Sequence, residues 1–188
     1  MTQPLLHIVL YEPEIPDNAG NIGRSCVALG AKLWLVRPLG FRIEDRRLRR
    51  SGLDYWPHLV WEAVDNWAAL CCQLDRQRMW FFTKRARRCY SQAAFQTGDV
   101  LVFGSESRGL PAALLGDLAD RCLRIPLRSE ARSLNLSVAA AVAAYEACRQ
   151  LGALATTSEG CQDSGGSRPA AESTSNFFPP DVDSKIGG

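Results

Sequence analysis

Five apolar runs recur along the chain, each separated from the next by a stretch of mixed polarity. They are LLHIVLY (5–11), KLWLV (32–36), RMWFFT (78–83), DVLVFG (99–104) and RCLRIPL (121–127). Within each run the apolar residues are nearly consecutive rather than alternating, as expected of strands covered on both faces. The stretches between them predict helices over 21–30, 44–51, 65–75, a short one near 111–119, and 134–151. Strands alternating with helices predict an α/β fold on a parallel sheet. The strongest helix is SLNLSVAAAVAAYEACRQLG: it has a polar start, an Ala-rich body and Gly152 as its stop.

The pattern ends after Gly152. Residues 153–188 are rich in Ser, Gly and Pro and poor in large apolar side chains, so they are expected to be a disordered low-complexity tail behind a single domain at 1–152. NFFPP (176–180) is the one apolar cluster in that tail.

The chain is 46% hydrophobic, the value of an ordinary globular protein. No run approaches the roughly 18 apolar residues of a membrane helix. MTQPLLHIVLYEPE lacks a basic flank before a long apolar segment, so no signal peptide is expected and a cytoplasmic location is the default. Seven cysteines, with Cys71 and Cys72 adjacent and no CxxC pair, read as reduced thiols. With only His7 and His58 as further ligands, no metal site is expected. The net charge is +2, but residues 152–188 hold two basic and five acidic residues, so the body carries about +5. Much of that charge lies in FRIEDRRLRRSG (41–52) and TKRARR (83–88). Such clusters suit an anionic partner such as nucleic acid, or simply a solvated face.

In an open parallel sheet, ligands bind beyond the carboxyl ends of the strands. Three unusual segments follow strands here. In IPDNAGNIGRSC (15–26), Asn18, Gly20, Asn21 and Gly23 are expected to present backbone N–H groups and amides to a ligand. Arg24 is expected about one turn into the following helix, where the dipole is already positive, which hints at a phosphate contact. FGSESRGLP (103–111) is bracketed by Gly104 and Gly109, but Leu110 stands where a P-loop needs Lys. Glu106 in that turn suits either a buried hydrogen bond or a cation. IPLRSEARSLNLS (125–137) offers Ser133 as a helix cap and sets Ser133, Asn135 and Ser137 at alternate positions. Each segment alone also fits a cap or a generic turn.

Together, NAGNIGR, FGSESRGLP and RSLNLSVAAAVAAYE resemble the three motifs of the SPOUT (SpoU–TrmD) RNA methyltransferases. The likeness covers roughly residues 4–152. It is nearest the TrmL branch, whose members methylate the ribose 2′-hydroxyl of the tRNA wobble nucleotide, cytidine or uridine 34. IVLYEPEIPDNAGNIGR, RRLRRSGLDYW and YEACRQLG add to it. The resemblance implies a Rossmann-like parallel sheet with a deep C-terminal trefoil knot. It implies S-adenosyl-L-methionine as cofactor, held at Phe82, Gly104, Ile125 and Ser133. The motifs also implicate Asn18, Arg24, Glu106 and Asn135 in catalysis. The implied partners are the anticodon stem-loop of tRNA and a second copy of the chain, with the Ala-rich last helix suited to a close contact. The implied RNA surface holds Arg47, Arg50, Lys84 and Arg132, with Tyr145 and Trp56 as stacking candidates. Arg85 and Ala86 stand where relatives often have Lys and Gly. Two other readings remain: ribose methylation of ribosomal RNA or another tRNA position, and a knotted RNA-binding protein without turnover. A nucleotide hydrolase is disfavoured by the missing Lys and carboxylate pair.

Overall fold

Consecutive apolar residues bury a strand on both faces, and in the computed structural model most residues of the central strands are buried. Among the described residues (3–43, 55–116 and 118–154) seven strands form one sheet. They are β1 (Leu6–Tyr11), β2 (Lys32–Val36), β3 (Trp61–Val64), β4 (Met79–Phe82), β5 (Arg88–Cys89), β6 (Asp99–Phe103) and β7 (Cys122–Arg124). The order is β3-β2-β1-β6-β4-β7-β5, and every pairing is parallel. All five residues of β6 are buried. The helix expected over 44–51, with Arg47 and Arg50, lies outside the described residues, as does the expected tail from 155 onward.

Among the described residues four α-helices accompany the sheet: α1 (Pro16–Leu29), α2 (Trp67–Cys71), α3 (Ala112–Leu115) and α4 (Leu136–Gln150). α1 and α4 pack together over one face, against Ile8, Leu10, Leu35, Leu101 and Leu123. α2 covers the other, where Val9, Trp34, Phe81 and Val102 are buried. Strands β3 and β5 were not expected. Both are edge strands, four and two residues long, and neither shows a run of buried apolar positions. The segments expected at 65–75, 111–119 and 121–127 shrink to α2, α3 and β7.

The helix expected over 21–30 begins at Pro16 instead. Proline suits the first helical turn because its missing N–H has no partner there anyway, and Gly30 closes the helix at φ 64°. Asn18, Gly20, Asn21 and Gly23 are therefore helical and do not form an open loop. The glycines serve packing: a Cβ on Gly23 would lie 3.0 Å from Leu59 Cδ2, and the Tyr55 hydroxyl donates to the Gly20 carbonyl. Arg24 is the ninth helical residue, so the helix dipole, which acts within the first turn, does not reach it.

Asn135, not Ser133, caps α4. Its Oδ1 accepts from the Ser137 and Val138 N–H groups at 2.8 and 3.4 Å and from the Ser137 hydroxyl at 2.7 Å. The Ala-rich stripe also turns inward: Ala140, Ala143, Ala144 and Ala147 are buried in the core beneath α1, leaving Val138 and Tyr145 as the exposed large hydrophobic side chains of α4, at 47% and 45%. The six described cysteines are free, and burial pushes the Cys26 thiol up to about 12. Among the described residues no helix is long and apolar enough to cross a membrane.

At the amino end of the sheet, Trp34 Nε1 donates to His7 Nδ1 at 3.0 Å. Lys32 lies 3.8 Å from the Trp34 ring centroid and pairs with Glu62 at 2.9 Å. Burial first, and the Lys32 charge second, push His7 below its ordinary value of 6.5. Folded His7 thus holds its proton less readily than the unfolded chain does. Its contribution is intact at neutral pH and is lost as pH falls below about 6.5 toward the folded value. The urea midpoint should therefore drop between pH 7.5 and 5.5, and His7→Gln should flatten that drop. An equal drop in the variant would contradict the assignment.

Candidate active site

The carboxyl ends of β4, β6 and β7 open into a cleft of about 630 Å³. That size suits a small-molecule ligand. Its walls come from the loops after these strands, with Ile15 and Asn18 on the side of α1. Gly104 lets the loop after β6 fold back on itself, since a Cβ there would lie 2.1 Å from the Gly109 carbonyl carbon. Gly109, at φ 68°, donates its N–H to the Ser105 carbonyl at 2.8 Å and closes the turn.

That turn aims Glu106 at the start of α1. The carboxylate accepts from the Glu14 N–H at 2.8 Å, the Ile15 N–H at 3.2 Å and Asn18 Nδ2 at 2.9 Å. Ile15 is the N-cap of α1 and makes no side-chain cap of its own. Glu106 performs from 91 residues away the task that a third-position acid performs in a capping box. Asn18 then accepts from Asn135 Nδ2 at 2.9 Å. One chain of hydrogen bonds thus joins the loop after β6, the start of α1 and the cap of α4. A second clasp runs the other way: Glu14 accepts from the Ser107 N–H at 3.1 Å and its hydroxyl at 2.6 Å. Arg108 pairs with Glu12 at 2.9 Å, and Glu12 holds φ 48°.

Phe82, Gly104, Ile125 and Ser133 all line this cleft, as do Asn18, Glu106, Asn135, Lys84 and Arg132. Phe82 stacks on Phe103 with centroids 4.7 Å apart, forming an apolar wall. Arg24 and Tyr145 are not among the lining residues. Arg24 instead lies over the Tyr55 ring, 5.3 Å from its centroid. Trp56 packs against Trp61 at 5.8 Å. Glu14 and Ser107 were not foreseen, because nothing in the spacing of YEPEIP and GSESR shows that they meet. Glu106 is the one carboxylate among the described lining residues, against Lys84, Arg85, Arg108 and Arg132. Neither histidine lines the cleft, and no metal-binding cluster exists among the described residues.

Residues 5–145 match the SpoU rRNA methylase family. The chain belongs to that family. A tRNA (cytidine(34)-2′-O)-methyltransferase of Methylovorus glucosotrophus is 47% identical over 147 residues, covering 78% of this chain and 96% of that protein. A solved structure described as giving insights into 2-OH methylation of C/U34 on tRNA superposes with a TM-score of 0.72 and 49% identity, covering 79% of this chain and 97% of that one. The SpoU methyltransferase AviRb from Streptomyces viridochromogenes, in complex with AdoMet, is 26% identical with a TM-score of 0.71, covering 80% of this chain and 59% of AviRb.

The amide chain has a stability consequence. Asn18 is 4% exposed, and its removal leaves Glu106 and Asn135 each short of a partner. Asn18→Ala should cost about 1–3 kcal/mol in urea unfolding. Asn18→Asp should cost more at neutral pH, because a carboxylate cannot donate to Glu106. An Asp variant as stable as the wild type would contradict the arrangement.

Proposed function

We propose that this protein is a tRNA (cytidine(34)-2′-O)-methyltransferase that takes its methyl group from S-adenosyl-L-methionine. The observation that carries the reading is the joining of Asn18, Glu106 and Asn135 at a cleft that Phe82, Gly104, Ile125 and Ser133 also line. Relatives at this identity and coverage bear the same activity in their names.

The cleft fits the cofactor. Stacked Phe82 and Phe103, with Leu123, Ile125 and Leu127, give apolar walls for an adenine ring. Gly104 leaves its backbone uncovered, and the Glu106 carboxylate supplies negative charge for a sulfonium. When bound, S-adenosyl-L-methionine supplies an already activated methyl group. The protein's task is then alignment and charge stabilisation. Asn18 and Asn135 fix the mouth of the site. Glu106 is committed to three N–H donors and so serves as a joint, not a base. Lys84 and Arg132, with no carboxylate within 4 Å among the described residues, are set for RNA phosphate.

Arg24 clamps phosphate and stabilises the developing alkoxide, and the proton leaves to water or a neighbouring phosphate. A guanidinium is not a base at accessible pH. Since Arg24 lies off its own chain's cleft, the active unit is a homodimer in which it serves the partner's site. The exposed Val138 and Tyr145 on α4, which packs against the α1 that carries exposed Arg24, provide the face for that contact. The knot, suggested by β6 and β7 inserting between earlier strands, and the cytoplasmic location complete the proposal.

The test is methyl transfer to total tRNA and to ribosomal RNA, followed by nucleoside mass spectrometry. Ribose methylation at position 34 of tRNA is expected, and methylation confined to ribosomal RNA, or none, would overturn the reading. Arg24→Lys should slow transfer about 100-fold while leaving cofactor affinity unchanged. Full retention of rate would remove Arg24 from any bidentate role.

A further inference from the structure

A second group of cations sits just outside the cleft, on the β7–β5 edge of the sheet. Two of its members are built into the fold. The Arg88 guanidinium donates to the Asp120 and Gln92 carbonyls at 3.3 and 2.6 Å. Arg88 and Arg121 both lie over the Trp80 ring, at 5.3 and 4.6 Å from its centroid. The remaining three are presented outward. Arg124 Nε donates to the Arg87 carbonyl at 3.3 Å, which ties the end of β7 to the segment entering β5. Arg87, Arg124 and Arg128 are exposed, and none has a carboxylate within 4 Å among the described residues.

Elsewhere the described cations are often neutralised: Arg37 by Asp65, Arg78 by Asp99, Arg108 by Glu12 and Arg149 by Glu146. Here Arg124 is tied to the Arg87 backbone, Arg128 follows four residues after Arg124, and no carboxylate lies within 4 Å of any of the three among the described residues, so their like charge is unfavourable unless an anion covers it. Its position is the second observation. Lys84 and Arg85 line the cleft and Arg87 follows two residues later; Ile125 lines the cleft and Arg124 precedes it. The same two segments therefore make the cleft wall on one side and the cationic edge on the other.

We propose that Arg87, Arg124 and Arg128 form a docking strip for the phosphate backbone of the RNA whose ribose enters the cleft. This rests on the methyltransferase reading for the identity of the RNA, but it makes its own claim about where the backbone runs. Nucleotides flanking the reacting ribose pass over the Arg124–Arg87 edge, and their phosphates supply the missing counter-charge. Arginine also suits phosphate by its fork of N–H donors. The competing account is that charge at an exposed edge strand only blocks pairing with another sheet.

The experiment uses the full chain and an anticodon stem-loop RNA, with affinity measured between 50 and 300 mM salt. The double variant Arg87→Ala/Arg124→Ala should bind at least about tenfold more weakly at low salt. Its slope of log affinity against log salt should fall by between about 1.4 and 1.8. S-adenosyl-L-methionine affinity, measured separately by calorimetry, should not change. Arg87→Lys/Arg124→Lys should keep most of the slope. Because Arg124 makes a structural hydrogen bond, Arg128→Ala provides a second arm, with a loss of slope near half as large. An unchanged slope in folded variants overturns the proposal, as does increased self-association with unchanged RNA affinity, the outcome expected of edge protection. A wild-type protein that binds this RNA through the strip yet transfers no methyl to tRNA would sink the catalytic reading and leave the strip standing.

Discussion

The Glu106 carboxylate is the joint on which the cleft depends. Three N–H donors converge on it from the start of α1, and it arrives there only because Gly104 lets its own loop fold tightly back. Hydrogen bonds to an ionised acceptor are stronger than neutral ones, and a cluster of them fixes position as well as energy. Through Asn18 the same joint reaches Asn135, which in turn caps α4. Segments separated by 88 and 117 residues along the chain are thereby held in one arrangement. Removing any one member leaves polar atoms unsatisfied in the others, so the cleft is expected to behave as a unit.

This coupling explains why the site lies where it does. Parallel strands bring the loops after β4, β6 and β7 to the same edge, but adjacency alone does not hold them. The reciprocal bonds of Glu106 to the Glu14 N–H, and of Glu14 to Ser107, lock the loop after β6 against the turn before α1. Lys84, Arg85, Arg108 and Arg132 outnumber Glu106, the one carboxylate among the described lining residues, so positive charge dominates the mouth. A site of that sign, with an apolar interior, can receive a polyanion outside and a flat ring inside.

Much of the architecture is legible in the amino-acid sequence. Five consecutive-apolar runs located the central strands, and SLNLSVAAAVAAYEACRQLG located α4 to within two residues. The edge strands β3 and β5 escaped because short, half-exposed strands have no continuous apolar run. The four positions expected to hold the cofactor and three of the four expected to be catalytic line one cleft. Local glycine content around Asn18 suggests an open loop, whereas those glycines admit Tyr55 and Leu59 against a helix. The role of Ser133 as cap passed to Asn135 because the helix starts two residues later than expected. Arg24 was placed near a helix start that lies eight residues before it. No spacing rule reveals Glu14 with Ser107, since the pairing spans 93 residues and exists only once the sheet has formed.

Hydrogen exchange with and without S-adenosyl-L-methionine tests the central claim most directly, because it reads every loop at once. The account predicts joint protection of residues 12–18, 104–110 and 125–138 on adding the cofactor, including the Glu14 and Ile15 amides that donate to Glu106. Asn18→Ala should uncouple these responses. Protection confined to a single loop, or unchanged coupling in the variant, would contradict it.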